Sequence, residues 1–95
     1  MARLDDDSVQ SRLADLPGWE LDSGAIVREY RLDDFPAAVA FVVRVAFHAE
    51  AANHHPDLDL RYNRVRVALS THSEGGITEK DLELAATIQE LGNGQ

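Results

Sequence analysis

Cysteine is absent from this chain, and lysine occurs once, at Lys80. The first absence excludes a disulfide framework, a thiolate metal site and a cysteine nucleophile, so any chemistry runs on imidazole, carboxylate, hydroxyl or backbone groups. Basic side chains are scarce overall. Nine Lys and Arg against 17 Asp and Glu leave a formal net charge of -8, which opposes the attraction that dominates nucleic-acid affinity. The local basic run of Arg61, Arg64 and Arg66 is accordingly read as a solvated hairpin face. The start, Met1-Ala-Arg-Leu-Asp-Asp-Asp, lacks a basic region followed by an apolar one, and no run approaches the ~18 apolar residues of a membrane span. A cytoplasmic protein with no nucleic-acid and no membrane partner is expected.

What is present fits one compact unit. The 95 residues are 44% hydrophobic, enough for one core and too few for two, so a single domain over residues 1–95 is expected. Asp5 to Asp7 supply negative charge and cap candidates for a short first helix, with Val9 and Leu13 on one face and Pro17-Gly18 ending it. That helix is read as a packed brace. Trp19 and Leu21 alternate with Glu20 and Asp22, Ser23-Gly24 marks a turn, and Ile26, Tyr30 and Leu32 share a parity that Arg28 interrupts. Two strands joined as a hairpin follow. From Phe35 the period changes to about 3.6, with Asp33 or Asp34 as cap and Pro36 in the first turn. A helix over residues 35–52 then gathers Phe35, Val39, Val42, Val43, Ala46 and Ala49 on its apolar side.

Beyond Pro56, Leu58, Leu60 and Tyr62 alternate with charged residues, as Val65, Val67 and Leu69 do with Arg64, Arg66, Ala68 and Ser70. Reading Asn63-Arg64 as a two-residue turn pairs Tyr62 with Val65, Leu60 with Val67 and Leu58 with Leu69. Extended outward, this register sets His55 opposite His72. After a loop at Ser73-Glu74-Gly75-Gly76, Thr78 and Asp81 form an acidic capping box with Ile77 and Leu82 at the staple positions. Leu82, Ala85, Ile88 and Leu91 continue a last helix over residues 79–91 until Gly92, and the tail from Gly92 to Gln95 is expected to fray. The order α-β-β-α-β-β-α with short hairpin links gives an α+β fold. It is a two-layer sandwich, a four-stranded antiparallel sheet with three helices on one face. An open sheet of this kind leaves edges that favour self-association.

Glu50-Ala-Ala-Asn-His54-His55-Pro56 stands between the long helix and the second hairpin, and His72 returns after it. Imidazole gives and takes protons near neutrality. Three readings compete for Glu50, His54, His55 and His72: satisfied structural histidines, a zinc or iron site, and acid–base catalysis around a bound substrate. Adjacent histidines on an extended chain point to opposite sides, which makes joint metal ligation awkward. Glu50, four residues before His54, is placed to meet it if the helix turns tightly there.

The spacing of Glu50, His54, His55, Pro56, Tyr62, His72 and Asp81 resembles the pattern of the pterin-4a-carbinolamine dehydratases, with Tyr62-Asn63-Arg64-Val65, Ser70-Thr71-His72 and Gly18-Trp19 also similar. The resemblance spans residues 13–91. Leu58 departs from it, where some members carry a tryptophan that offers a stacking platform. The resemblance implies dehydration of a 4a-hydroxytetrahydropterin to quinonoid dihydropterin in tetrahydrobiopterin recycling, without metal or organic cofactor. It implies His54 and His72 as the acid–base pair, and His55 as mainly a binding and orienting residue. Glu50, Pro56, Tyr62 and Asp81 would bind the pterin, with Glu50 or Asp81 orienting an imidazole or holding a pterin nitrogen through a charge-assisted hydrogen bond. Implied partners are a second copy or more, as homodimer or homotetramer, and an aromatic amino acid hydroxylase pathway that supplies the substrate. The rival reading is a non-catalytic dimerisation or assembly module. Family members also partner a homeodomain transcription factor or assist assembly of a large enzyme.

Overall fold

The computed structural model describes residues 2–93. Along the chain run helix α1 (Asp6–Leu13), strands β1 (Glu20–Asp22) and β2 (Ala25–Arg31), and helix α2 (Phe35–Ala52). Strands β3 (Asp57–Arg61) and β4 (Arg64–Leu69), a 3-10 turn (His72–Glu74) and helix α3 (Glu79–Asn93) complete it. The strands form one antiparallel sheet in the order β1-β2-β4-β3. Ile26 pairs with Leu69 and Tyr30 with Val65 at its centre. These residues and Val67 are buried with Val9 and Leu13 of α1, Phe41 and Val45 of α2, and Leu82, Ala85 and Ile88 of α3. All three helices therefore cover the same sheet face, as the alternation predicted. The opposite face is charged: Arg66 pairs with Asp22 at 3.1 Å, Arg64 with Glu29 at 3.8 Å and Arg61 with Asp59 at 3.2 Å. The basic run is thus neutralised on the solvent side of the sheet, in exposed pairs that contribute little each.

Local signals explain most boundaries. Asp5 caps α1 by accepting from the Ser8 amide at 2.8 Å, and Asp34 caps α2 by accepting from the Ala37 amide at 2.9 Å. At its other end α2 stops on Asn53, which takes the left-handed conformation at φ 50°. The Asn53 amide donates to the Glu50 carbonyl at 3.1 Å and the His54 amide to the Ala49 carbonyl at 3.0 Å. This pair of bonds is a Schellman closure, which satisfies the last carbonyls and fixes where the next residue leaves the helix.

Four expectations are corrected. The second hairpin turns on Tyr62-Asn63, with Arg61 opposite Arg64, Leu60 opposite Val65 and Leu58 opposite Val67. Asn63 is committed to the end of β2: its side-chain amide donates to the Leu32 carbonyl at 3.0 Å, and its carbonyl accepts from the Leu32 amide at 2.8 Å. Tyr62 then takes the positive φ of the turn, at 52°. The true register differs by two residues, so the same side chains stay on the core face, while His55 loses its place opposite His72. Helix α2 buries Ala38, Phe41, Val45 and Ala49, leaving Phe35, Val39, Val43 and Phe47 exposed. Its 18 residues have a mean hydropathy of 1.4, so by length and composition it matches a membrane span, contrary to the sequence expectation. A helix apolar on nearly every side gives periodicity little to choose between, and small Ala38 and Ala49 admit the closer approach to the sheet. Helix α3 also continues through Gly92 to Asn93; the remainder of the expected frayed tail lies outside the described residues.

Arg28, which interrupts the parity of β2, has a structural reason to do so. Its guanidinium lies over the Tyr30 ring, 4.4 Å from the centroid, and donates to the Pro17 carbonyl at 2.8 Å and to Gln89. Trp19 Nε1 donates to the same Gln89 Oε1 at 3.1 Å, and the Tyr30 hydroxyl approaches it at 3.4 Å. One acceptor on α3 thereby gathers three donors from the first hairpin. Burial pushes the Tyr30 phenol above its ordinary pKa, with Arg28 opposing. Gly92 lies flat against the same ring, where an added Cβ would overlap Tyr30 Cε1 and Cδ1. Gly92→Ala is therefore expected to destabilise the fold by about 1–3 kcal/mol, the cost of overpacking, although alanine is the better helix former. Urea unfolding measures this, and a neutral or stabilised variant would show that the ring does not hold that position.

Candidate active site

The site grows from the first turn of α3. Thr78 and Asp81 form the capping box that their spacing predicts: the Thr78 amide donates to Asp81 Oδ2 at 2.9 Å, and Thr78 Oγ1 accepts from the Lys80 amide at 3.3 Å. Both residues are fully buried. A carboxylate in this position is favoured by the partial positive charge of the helix end and by charge-assisted hydrogen bonds. The chain leaving β4 supplies a further donor, because Thr71 Oγ1 donates to Asp81 Oδ2 at 2.9 Å and lies 2.8 Å from Thr78 Oγ1. Thr71 is itself pinned by an isolated bridge to Gly76, with its amide donating to the Gly76 carbonyl at 2.7 Å.

The remaining oxygen of Asp81, Oδ1, faces His54 Nε2 at 2.5 Å. Only 11% of the His54 side chain is exposed and none of Asp81. His54 meets this carboxylate and not Glu50, because the Schellman closure releases the chain from α2 with His54 turned toward α3. Glu50 meets His55 instead, Oε1 to Nε2 at 2.8 Å, in a pair open to solvent. Adjacent histidines thus point to different carboxylates, as an extended dipeptide requires. Among the described residues, His, Asp and Glu side chains gather in these pairs and not in any group of three that could hold a metal ion.

His72 does not face His55 across the hairpin. It opens the 3-10 turn immediately after Thr71, is exposed, and its side chain makes no hydrogen bond among the described residues. Thr71 still anchors it near the Asp81–His54 pair, since consecutive Cα atoms lie about 3.8 Å apart. Pro56 follows His55 and leads directly into β3. Tyr62 is the outlier: it sits exposed in the turn at the far end of β3, roughly 17 Å from the histidines at ~3.3 Å per strand residue. A single chain does not bring it to them. An open pocket of about 470 Å³ lies beside the contact of α2 with α3, lined by His48 and His54 on one side and Lys80, Glu83 and Thr87 on the other. His48 and Thr71 were missed from the sequence. Thr71 carries no pattern of its own, and His48 joins His54 only through the helix geometry.

A fully buried carboxylate gripping one ring nitrogen of a nearly buried imidazole, beside two more accessible imidazoles, is an arrangement for moving protons. Comparison with known proteins agrees with the sequence resemblance. The family described as pterin 4 alpha carbinolamine dehydratase matches residues 2–91. The chain belongs to that family. A Chloroflexus aurantiacus relative bearing the family's name is 58% identical over 91 residues, covering 96% of this chain and 98% of its own. One from Mycobacteroides abscessus is 50% identical, covering 93% and 94%. Among solved structures, a transcriptional coactivator/pterin dehydratase from Brucella melitensis superposes with a TM-score of 0.90 at 38% identity, over 95% of this chain and 98% of that one. A pterin dehydratase-like protein identified as a RuBisCO assembly factor in the alpha-carboxysome shares the fold, with a TM-score of 0.64 at 17% identity over 78% and 86%.

Asp81 holds three buried or nearly buried partners, and each buried donor left without one costs ~1–3 kcal/mol. Asp81→Ala is expected to lose about 3 kcal/mol of stability by this reasoning, whereas Glu50→Gln, in a solvent-exposed pair, should change it by less than ~0.5 kcal/mol. Equal losses in denaturant unfolding would contradict this division.

Proposed function

We propose that this member of the family is a cytoplasmic hydro-lyase converting a 4a-hydroxytetrahydropterin to quinonoid dihydropterin and water, in tetrahydrobiopterin recycling fed by aromatic amino acid hydroxylation. The observation that carries the reading is the His54–Asp81 pair beside His55 and His72 in a chain of this family. The reaction breaks the C4a–oxygen bond and forms a double bond between C4a and the neighbouring ring nitrogen, N5. One proton must reach the departing hydroxyl, and one must leave N5. Two imidazoles suffice, with neither metal nor organic cofactor. His54 and His72 carry the two transfers in this reading. Asp81 supports the charge that His54 gains, while the exposed His72 side chain, with no hydrogen-bond partner among the described residues, is able to follow the substrate. His55, oriented by Glu50 at 2.8 Å and held by Pro56 at the entry to β3, serves binding. Tyr62 contributes to a pterin site only from a second copy, given its distance.

A second copy is part of the proposal. Phe35, Val39, Val43 and Phe47 form a stripe along the outer side of α2, with exposures of 49%, 37%, 48% and 73%. Spacing by four residues makes this a single ridge that packs against its own equivalent at about -50°. Large apolar side chains repeated this way are not the scatter normal on a monomer. The stripe supports a homodimer or homotetramer built on α2, and the short open strands β1 and β3 supply further edges.

In a dehydration assay corrected for the spontaneous reaction, His54→Ala or His72→Ala is expected to lower kcat roughly 10²- to 10⁴-fold. His55→Ala should chiefly raise KM. Activity lost to a chelator and restored by zinc would overturn acid–base catalysis, and wild-type protein no faster than the spontaneous reaction would favour the assembly-module reading. Separately, light scattering at tens of micromolar should give a multiple of the chain mass for the wild type and a single-chain mass for Val43→Glu/Phe47→Glu. A monomeric wild type, or an unchanged mass in the double variant, would remove α2 as the interface.

A further inference from the structure

We propose that Thr71 and Thr78 are positioning residues that lock neutral His54 as its Nε2–H tautomer, making Nδ1 the atom that exchanges protons with substrate. The inference rests on the dehydratase reading for what His54 does, and on the hydrogen-bond inventory alone for how it is held. A hydroxyl carries one hydrogen and a carboxylate none. Thr71 Oγ1 contacts both Asp81 Oδ2, at 2.9 Å, and Thr78 Oγ1, at 2.8 Å. Were its hydrogen given to Thr78, two lone pairs would face each other between Thr71 and Asp81. The hydrogen therefore goes to Asp81, and Thr78 gives its own to Thr71. The Lys80 amide, donating to Thr78 Oγ1 at 3.3 Å, agrees with that direction. Oδ2 is then occupied by two donors, the Thr71 hydroxyl and the Thr78 amide. Oδ1 is left with His54 Nε2, and since the carboxylate brings no hydrogen, that nitrogen bears it.

The consequence is directional. With Nε2 as donor to Asp81, the lone pair of the neutral ring sits on Nδ1, which has no protein partner among the described residues. A proton leaving N5 of the pterin enters there, and the imidazolium formed remains bonded to Asp81 through Nε2. Asp81 itself takes up no proton. The electrons of the broken N5–H bond form the new double bond to C4a, and the C4a–oxygen pair departs with the hydroxyl, which leaves as water on taking a proton from His72. Neither threonine touches substrate in this scheme. Each acts only by leaving Asp81 one orientation and one free oxygen.

The decisive measurement needs no substrate. Two-bond proton–nitrogen correlation spectra of ¹⁵N-histidine-labelled wild-type protein should show neutral His54 with its proton on Nε2. In Thr71→Val, which keeps the shape and removes the hydroxyl, both tautomers should appear. Its kcat should fall about 10- to 100-fold, the range found when a partner orienting a metal-bound imidazole is removed. KM should stay within about twofold, since ground-state binding is untouched. Thr71→Ser should restore both readouts, which a merely structural defect would not do selectively. His54 protonated on Nδ1 in the wild type, or Thr71→Val with unaltered tautomer and kcat, would overturn the assignment. If Thr71→Val does not fold, the wild-type spectrum and Thr78→Val decide by the same criteria. Correct tautomers and their mixing in Thr71→Val without any dehydration above the spontaneous rate would refute the dehydratase reading and leave the positioning role standing.

Discussion

The buried carboxylate of Asp81 is the point through which three separate segments of this chain are connected. It closes the first turn of α3 through the Thr78 amide, holds the exit of β4 through Thr71, and holds the exit of α2 through His54. Burying an ion of this kind is costly unless its oxygens are satisfied and its charge is met. Here both oxygens have donors, and the helix end supplies partial positive charge. The interactions that make the burial tolerable are therefore the ones that bring a histidine, two threonines and a helix terminus to one place.

Much of this was legible in the sequence, and what was not has identifiable causes. The capping box at Thr78 and Asp81 was readable because it is local, needing only a spacing of three. That Asp81 and not Glu50 would hold His54 was not, because Asp81 is 27 residues away and Glu50 is far nearer along the chain. The hairpin register failed for a reason built into strands: a shift of two residues preserves every inward and outward position, so hydrophobic alternation cannot detect it. What decided it was Asn63 bonding to Leu32, a tertiary contact invisible to local pattern. The buried side of α2 was misread because its exposed stripe is as apolar as its buried one. An exposed stripe of large apolar side chains imitates a core face in the sequence.

Membership of the family and the geometry of the site contribute different things. The family supplies the chemical context, while the carboxylate–imidazole contacts distinguish three histidines that are alike in sequence. His54 is nearly buried against a buried carboxylate, His55 is exposed and paired with an exposed one, and the exposed His72 side chain has no hydrogen-bond partner among the described residues. Those three degrees of restraint suit a reacting group, a binding group and a mobile group in turn.

The junction at Gln89 has a consequence for how this chain folds. Gln89 receives Arg28, Trp19 and Tyr30, and its own amide donates to the Pro17 carbonyl at 3.3 Å, so the first hairpin is fastened to the last helix across sequence separations of 59 to 72 residues. Leu4 is tied in the same way, its amide donating to the Ile77 carbonyl at 2.8 Å. The N-terminal third accordingly has no finished surface to fold against until the C-terminal helix exists. Completion of the core is governed by the closure of one long loop.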